Sequence, residues 1–233
     1  MTFSLPNRKW SVNSKKSSLW GSLHGRKLMA PVPYEKLTAK GRATRERIVA
    51  AASELMLQRG VARTTIEDIQ EAAAVSTSQM YHYFADKSDL VASVIDFQTD
   101  HVLGVQHLGL DRIDSIEDLY RWRGIMVDLV RSMGCAGGCP IGSMANELSE
   151  SDPIARAQLA RSFAQWENMI HDSLIAIAAR GELADGTDIE RVALAMLAGI
   201  QGGLLLSQVR RDTAPLEAAV DTMIEHLRRL GMG

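Results

Sequence analysis

A chain of 233 residues that is 46% hydrophobic, 23% charged and 5% aromatic has the make-up of a globular protein with one small module and one core-bearing domain. Its net charge of −2 hides an asymmetry, since residues 1–40 hold eight Lys or Arg against Glu35 alone, +7, leaving −9 for residues 41–233. No apolar run is expected to approach the ~20 residues that span a bilayer, and the N-terminus lacks the apolar stretch of a signal peptide. Two cysteines, Cys135 and Cys139, make no disulfide framework, so the expectation is a cytoplasmic protein with no membrane partner.

Residues 1–40 are rich in Ser, Lys, Pro and Gly and show no apolar period, so they read as a basic, disordered extension. A basic leader on an acidic body suits nucleic-acid contact and equally a solvated tail. Met29, followed by Ala30-Pro31-Val32-Pro33, is a second candidate start, because helical patterning begins only after Gly41. From there one helix-start signal recurs: a Ser or Thr with an acidic or amide residue three positions on, so that each side chain answers the other's backbone N–H. It occurs as Thr64 with Glu67, Ser76 with Gln79, Ser115 with Asp118 and Thr187 with Glu190. Asp152-Pro153 is a different start, a capping carboxylate followed by proline in the first turn. Gly60, Gly181 and Gly231 stand where helices should stop. Apolar residues between these signals fall three or four apart, as in Ile48, Ala52, Leu55 and in Ile66, Ile69, Ala73. The expected fold class is all-α, with roughly nine or ten helices.

The run from Thr65 to Phe84 holds two very short helices, 66–73 and 77–83, joined by Ala74-Val75-Ser76. Helices this short are unstable alone. A helix over 44–59 must brace them through Ile48, Ala52, Leu55 and Met56, with Val75, Met80 and Phe84 turned to the same core. Thr77, Ser78, Gln79, Tyr81 and His82 are left for other faces. This is helix-turn-helix geometry, in which the second helix enters the major groove by its N-terminal end. Thr and Ser hydroxyls and the Gln amide suit base edges; tyrosine hydroxyls, Lys87 and the free N–H groups of a helix start suit phosphates. Residues 41–90 carry six Lys or Arg against seven Asp or Glu, so there is no basic patch of the usual kind. Affinity must come from two copies acting together, from helix dipoles and from the basic leader.

The stretch 44–95, above all Val75-Ser-Thr-Ser-Gln-Met-Tyr-His-Tyr-Phe-Ala-Asp-Lys87, resembles the N-terminal domain of the TetR family of transcriptional regulators. The resemblance implies double-stranded operator DNA as partner, with Thr77, Ser78 and Gln79 facing bases and Thr65, Tyr81, Tyr83 and Lys87 facing phosphates. Three positions depart from the family pattern: Ala74 replaces a glycine of the turn, Gln70 a small residue between the helices, and Tyr83 a histidine. At Ala74 the backbone must avoid φ > 0 or carry mild strain.

The remaining residues, 91–233, are expected to form a helical effector-binding and dimerisation domain behind a DNA-binding domain of 41–90. Gly138-Cys-Pro-Ile-Gly-Ser-Met-Ala-Asn-Glu-Leu-Ser-Glu-Ser-Asp-Pro153 is similar to a Gly-Cys-x-x-Gly…Glu-Leu…Asp-Pro segment of TetR-type bodies. Ile189 to Arg210 is apolar with small residues at Ala193, Ala195, Ala198, Gly199, Gly202 and Gly203, which let two helices approach closely. With the helix of 153–180 it resembles the family's four-helix homodimer interface. Trp122, Met126, Met144, Phe163, Trp166 and Met169 are candidates to line an apolar effector cavity, with plain core as the alternative. Cys135 and Cys139 flank Ala-Gly-Gly; accessible, they would sense oxidants or electrophiles, and buried, they would merely pack. The histidines show no ligand spacing with each other or with the cysteines, so neither metal nor cofactor is expected.

Three function classes follow. One is a repressor that binds a palindromic operator as a dimer and is released by a small-molecule effector. The others are a thiol-responsive regulator and an effector-free DNA-organising protein. An enzyme is set aside, since no triad order, HExxH, phosphate loop or nucleotide fingerprint appears.

Overall fold

The computed structural model describes residues 31–110 and 113–231, without the side chains of Leu108 and Leu230. Among the described residues there are nine α-helices, one short 3-10 turn and no strand, so the chain is all-α.

The extension expected over residues 1–40 gives way to structure before its end. A 3-10 turn at Tyr34–Lys36 leads into α1, Ala39–Arg59. Thr38 Oγ1 accepts from Gly41 N at 3.1 Å, and this cap starts the helix ahead of Gly41, where no apolar period announces it. Leu37 is buried. Tyr34 Oη donates to Glu46 Oε1 at 2.8 Å. The Arg45 guanidinium lies 5.4 Å from the ring centroid of Tyr34 and 5.0 Å from that of Phe84, binding the turn to the core behind it. Residues 1–30, with the candidate start at Met29, lie outside the described residues.

Two short helices follow, α2 (Ile66–Ala72) and α3 (Thr77–Tyr83). Thr65 with Asp68 caps α2, not Thr64 with Glu67. Both pairs have the right spacing, but Thr64 is fully buried and its hydroxyl turns back to Gly60 O at 2.8 Å. Ser76 and Gln79 form the reciprocal cap of α3 as the spacing predicts. Between the helices Ala74 takes φ +48°, so the glycine-less turn carries the strain rather than avoiding the left-handed region.

The body comprises α4 (Lys87–Leu110), α5 (Ile116–Ser132), α6 (Pro140–Leu148), α7 (Pro153–Ala179), α8 (Ile189–Arg210) and α9 (Ala214–Gly231). Ser115 caps α5 and Asp152 caps α7, as their motifs predict. At α8 the cap is Asp188, whose Oδ1 accepts from Arg191 N at 3.0 Å, because Thr187 spends its hydroxyl on Ala184 O. α4 packs on α1 at one end and on α5, α6 and α7 further along; α8 lies between α7 and α9. The α8–α9 approach is close: a Cβ on Gly203 would stand 2.8 Å from Leu216 Cα.

Buried polar pairs stitch α4 in place. Gln98 Nε2 donates to Ser53 Oγ of α1. Thr99 Oγ1 and Ser162 Oγ of α7 are 2.7 Å apart. Trp122 Nε1 of α5 donates to Gln106 Oε1 at 2.9 Å.

By length and composition alone α8 is apolar enough to cross a bilayer. The expectation concerned unbroken apolar runs, and Gln201, Ser207 and Gln208 interrupt this one; Gly and Ala between them keep its average apolar without adding charge. Its outward face presents Leu194, Ala198, Gly202, Leu205 and Val209 at helical spacing, Leu194 being 55% and Val209 73% exposed.

Candidate nucleic-acid interface

The second short helix is held from behind and open in front. Met80 and Phe84 are buried, while Thr77, Ser78, Gln79 and His82 are exposed. Its first turn therefore offers hydroxyls and an amide beside the free N–H groups of a helix start. Gln79 is more constrained than its spacing suggests. Its Oε1 accepts from Ser76 N at 3.0 Å and from Ser76 Oγ at 3.2 Å. A bidentate contact to adenine needs that oxygen as well as Nε2, so in this arrangement Gln79 presents the amide donor alone.

Tyr81 and Tyr83 are half-buried, and Tyr83 meets the His82 ring edge-on at 4.9 Å between centroids. Thr65 is exposed at the start of α2, its hydroxyl donating to Asp68 Oδ2 at 2.7 Å and accepting from Asp68 N at 3.1 Å. The Thr65 side-chain and backbone bonds hold the Asp68 carboxyl below its usual range.

Lys87, expected on phosphate, spends one of its three N–H donors within its own chain. Its Nζ donates to Val61 O at 2.6 Å, and burial draws its pKa below the usual lysine value, opposed by the nearby Glu147 carboxylate. Two ties to this surface carry no local sequence signal. Arg47 Nε donates to Ala73 O at 3.0 Å, and Val32 N donates to His82 O at 3.2 Å, so the segment before α1 reaches the end of α3.

The body residues singled out for an effector cavity lie in or against the continuous core. Trp122, Met126, Met144 and Trp166 are buried, and Phe163 and Met169 pack half-buried against the core they belong to. Trp166 Nε1 is buried there without an acceptor. A cleft of about 590 Å³ opens elsewhere, between the start of α8 and α9, lined by Asp185, Asp188, Arg191, Val192, Met223 and His226 among others. Cys135 and Cys139 are both free and buried. Cys139 caps α6, its Sγ accepting from Gly142 N at 3.4 Å, and burial raises its thiol pKa despite that bond. Among the described residues no three His, Cys, Asp or Glu side chains gather as metal ligands do.

Residues 48–94 match the sequence profile of bacterial regulatory proteins of the tetR family, and residues 115–223 match the tetracyclin repressor-like C-terminal domain. An uncharacterized HTH-type transcriptional regulator of Mycobacterium tuberculosis (strain H37Rv) is 29% identical over 185 residues, covering 74% of this chain and 88% of that protein. The HTH-type transcriptional repressor DhaR of Mycobacterium sp. (strain GP1) is 24% identical over 184 residues, covering 78% and 91%. A TetR transcriptional regulator from Chloroflexus aurantiacus superposes with a TM-score of 0.71 at 28% identity, covering 81% of this chain and 96% of that one. One profile falls on the helix-turn-helix and the other on the helical body, and the chain belongs to the TetR family of DNA-binding transcriptional regulators, not to a family of enzymes.

Proposed function

We propose that this regulator binds a palindromic operator as a homodimer, represses the genes beside it, and is released by a small molecule entering the body. The observation that carries the DNA contact is the exposed first turn of α3, with Thr77, Ser78 and the Gln79 donor aimed outward from a buried Met80–Phe84 anchor. The two tyrosines flank it and would take phosphates, and Thr65 would have to release the Asp68 carboxylate to do the same. The apolar stripe of α8 supports the dimer: Ala198 and Gly202 at its centre let a second α8 approach closely, flanked by Leu194, Leu205 and Val209. Two copies would then place their recognition helices on half-sites ~34–36 Å apart. The repressor role follows the name of DhaR.

For the effector, the core around Trp122, Met126, Met144 and Trp166 would have to open. Methionines yield readily, and the unpartnered Trp166 Nε1 would find an acceptor on the ligand. A closed core suits an effector-free DNA-organising protein as well, and a ligand-induced melting shift in a small-molecule screen separates the two. Selection of duplex DNA from a random library tests the main reading, which requires an enriched inverted repeat. Sedimentation at micromolar protein should give about twice 25.5 kDa, and a clean monomer would remove the dimer.

A further inference from the structure

We propose that Glu147 of α6 is the positioning residue through which the body sets the DNA-binding helices, by gripping the loop between α1 and α2. The proposal rests on the DNA-binding reading above. Val61 N donates to Glu147 Oε2 at 2.8 Å and Ala62 N to Glu147 Oε1 at 2.6 Å. Both oxygens of one carboxylate thus hold two successive backbone N–H groups across 86 and 85 residues of chain. Such a charged, two-pronged contact fixes direction as well as distance.

The loop is shaped for the carboxylate. Gly60 ends α1 at φ +84°, and a Cβ there would stand 3.1 Å from Glu147 Oε2. The same peptide is held from the other side by Lys87 Nζ on Val61 O, and the Lys87 and Glu147 charges attract across it. Thr64 and Thr65 follow directly. Thr64 Oγ1 returns to Gly60 O, and Thr65 caps α2, so the position of residues 61 and 62 is passed to the first turn of the helix-turn-helix.

The other end of α6 faces the body. Cys139 and Pro140 begin it, and a Cβ on Gly142 would meet Gln201 Oε1 of α8 at 2.8 Å. α6 is nine residues long, about 13 Å at the usual rise. A displacement at the α8 contact therefore arrives at the DNA-binding loop one short rigid rod away.

The test uses the full chain as wild type, Glu147→Ala and the isosteric Glu147→Gln, with the duplex that the wild type enriches from a random library. Hydrogen exchange at the Val61 and Ala62 amides, duplex affinity and the urea midpoint are measured together. Glu147→Ala should lose protection at both amides and bind the duplex about 5- to 150-fold more weakly, the usual span of coupling between separate sites. Glu147→Gln keeps one acceptor and should fall between, with the same sequence enriched and a near-native midpoint. Freed amides with unchanged affinity, or an affinity loss that merely tracks the midpoint in both variants, overturn the proposal. If the wild type enriches no sequence, the DNA-binding reading falls and takes the proposal with it.

Discussion

The Nε of Arg47 donates to the carbonyl oxygen of Ala73 at 3.0 Å, and the next residue, Ala74, sits at φ +48°. α1 thereby tethers the end of α2 one residue before the turn and holds an alanine where a non-glycine residue costs about 1–2 kcal/mol. Ala74→Gly should relieve that strain. The greater freedom of glycine in the unfolded chain offsets part of the gain, leaving a net stabilisation of about 0.5–1 kcal/mol in urea unfolding. Sequence preference on DNA should not change. A less stable variant would mean that the Ala74 methyl is a packing group.

Gln79 has two tasks, its oxygen capping α3 and its Nε2 facing outward. A glutamate at this position would keep the cap and lose the donor, so Gln79→Glu should melt as wild type yet bind the preferred duplex at least about tenfold more weakly, a loss of about 1.4 kcal/mol. Gln79→Ala should show both losses, destabilising the protein and relaxing preference at one base pair by about 1–3 kcal/mol. Full affinity for Gln79→Glu would reduce the residue to a helix cap.

Lys87 offers a contrast that salt can read. Each phosphate neutralised adds about 0.9 to the slope of log affinity against log salt. Because Lys87 is engaged with Val61 O, Lys87→Met should weaken duplex binding without altering that slope. A slope smaller by about one unit would return Lys87 to the phosphate role that its sequence position implies.

The thiols should be inert. Both cysteines are buried, and burial raises the Cys139 pKa, so the thiol form prevails at neutral pH and alkylation stays slow. A maleimide should label native protein far more slowly than protein in urea, and peroxide should leave duplex binding intact. Rapid native labelling accompanied by release of DNA would favour the thiol-responsive alternative.

What was legible in the sequence was local. The Ser76–Gln79 and Ser115–Asp118 caps, the Asp152-Pro153 start and the bounds of α3 are written within four residues of each other. Where two neighbouring residues satisfy one rule, spacing could not choose: Thr64 and Thr65 compete for the same cap, and tertiary burial of Thr64 decides. The start of α1 carries no apolar signal because the Thr38 cap and the burial of Leu37 order it, not an apolar period. The grip of Glu147 was invisible for a different reason. Its partners are backbone N–H groups 85 and 86 residues away, and a backbone donor has no letter in the sequence.

The hydrogen bonds of α4 limit how this helix can move. Gln98, Thr99 and Gln106 each meet a different helix, α1, α7 and α5 respectively. Sliding α4 along its axis by a single residue would strand all three pairs at once, and each stranded buried group costs about 1–3 kcal/mol. α4 is thus keyed to three neighbours at once, and an axial shift of this helix either carries α1, α5 and α7 with it or breaks the lock.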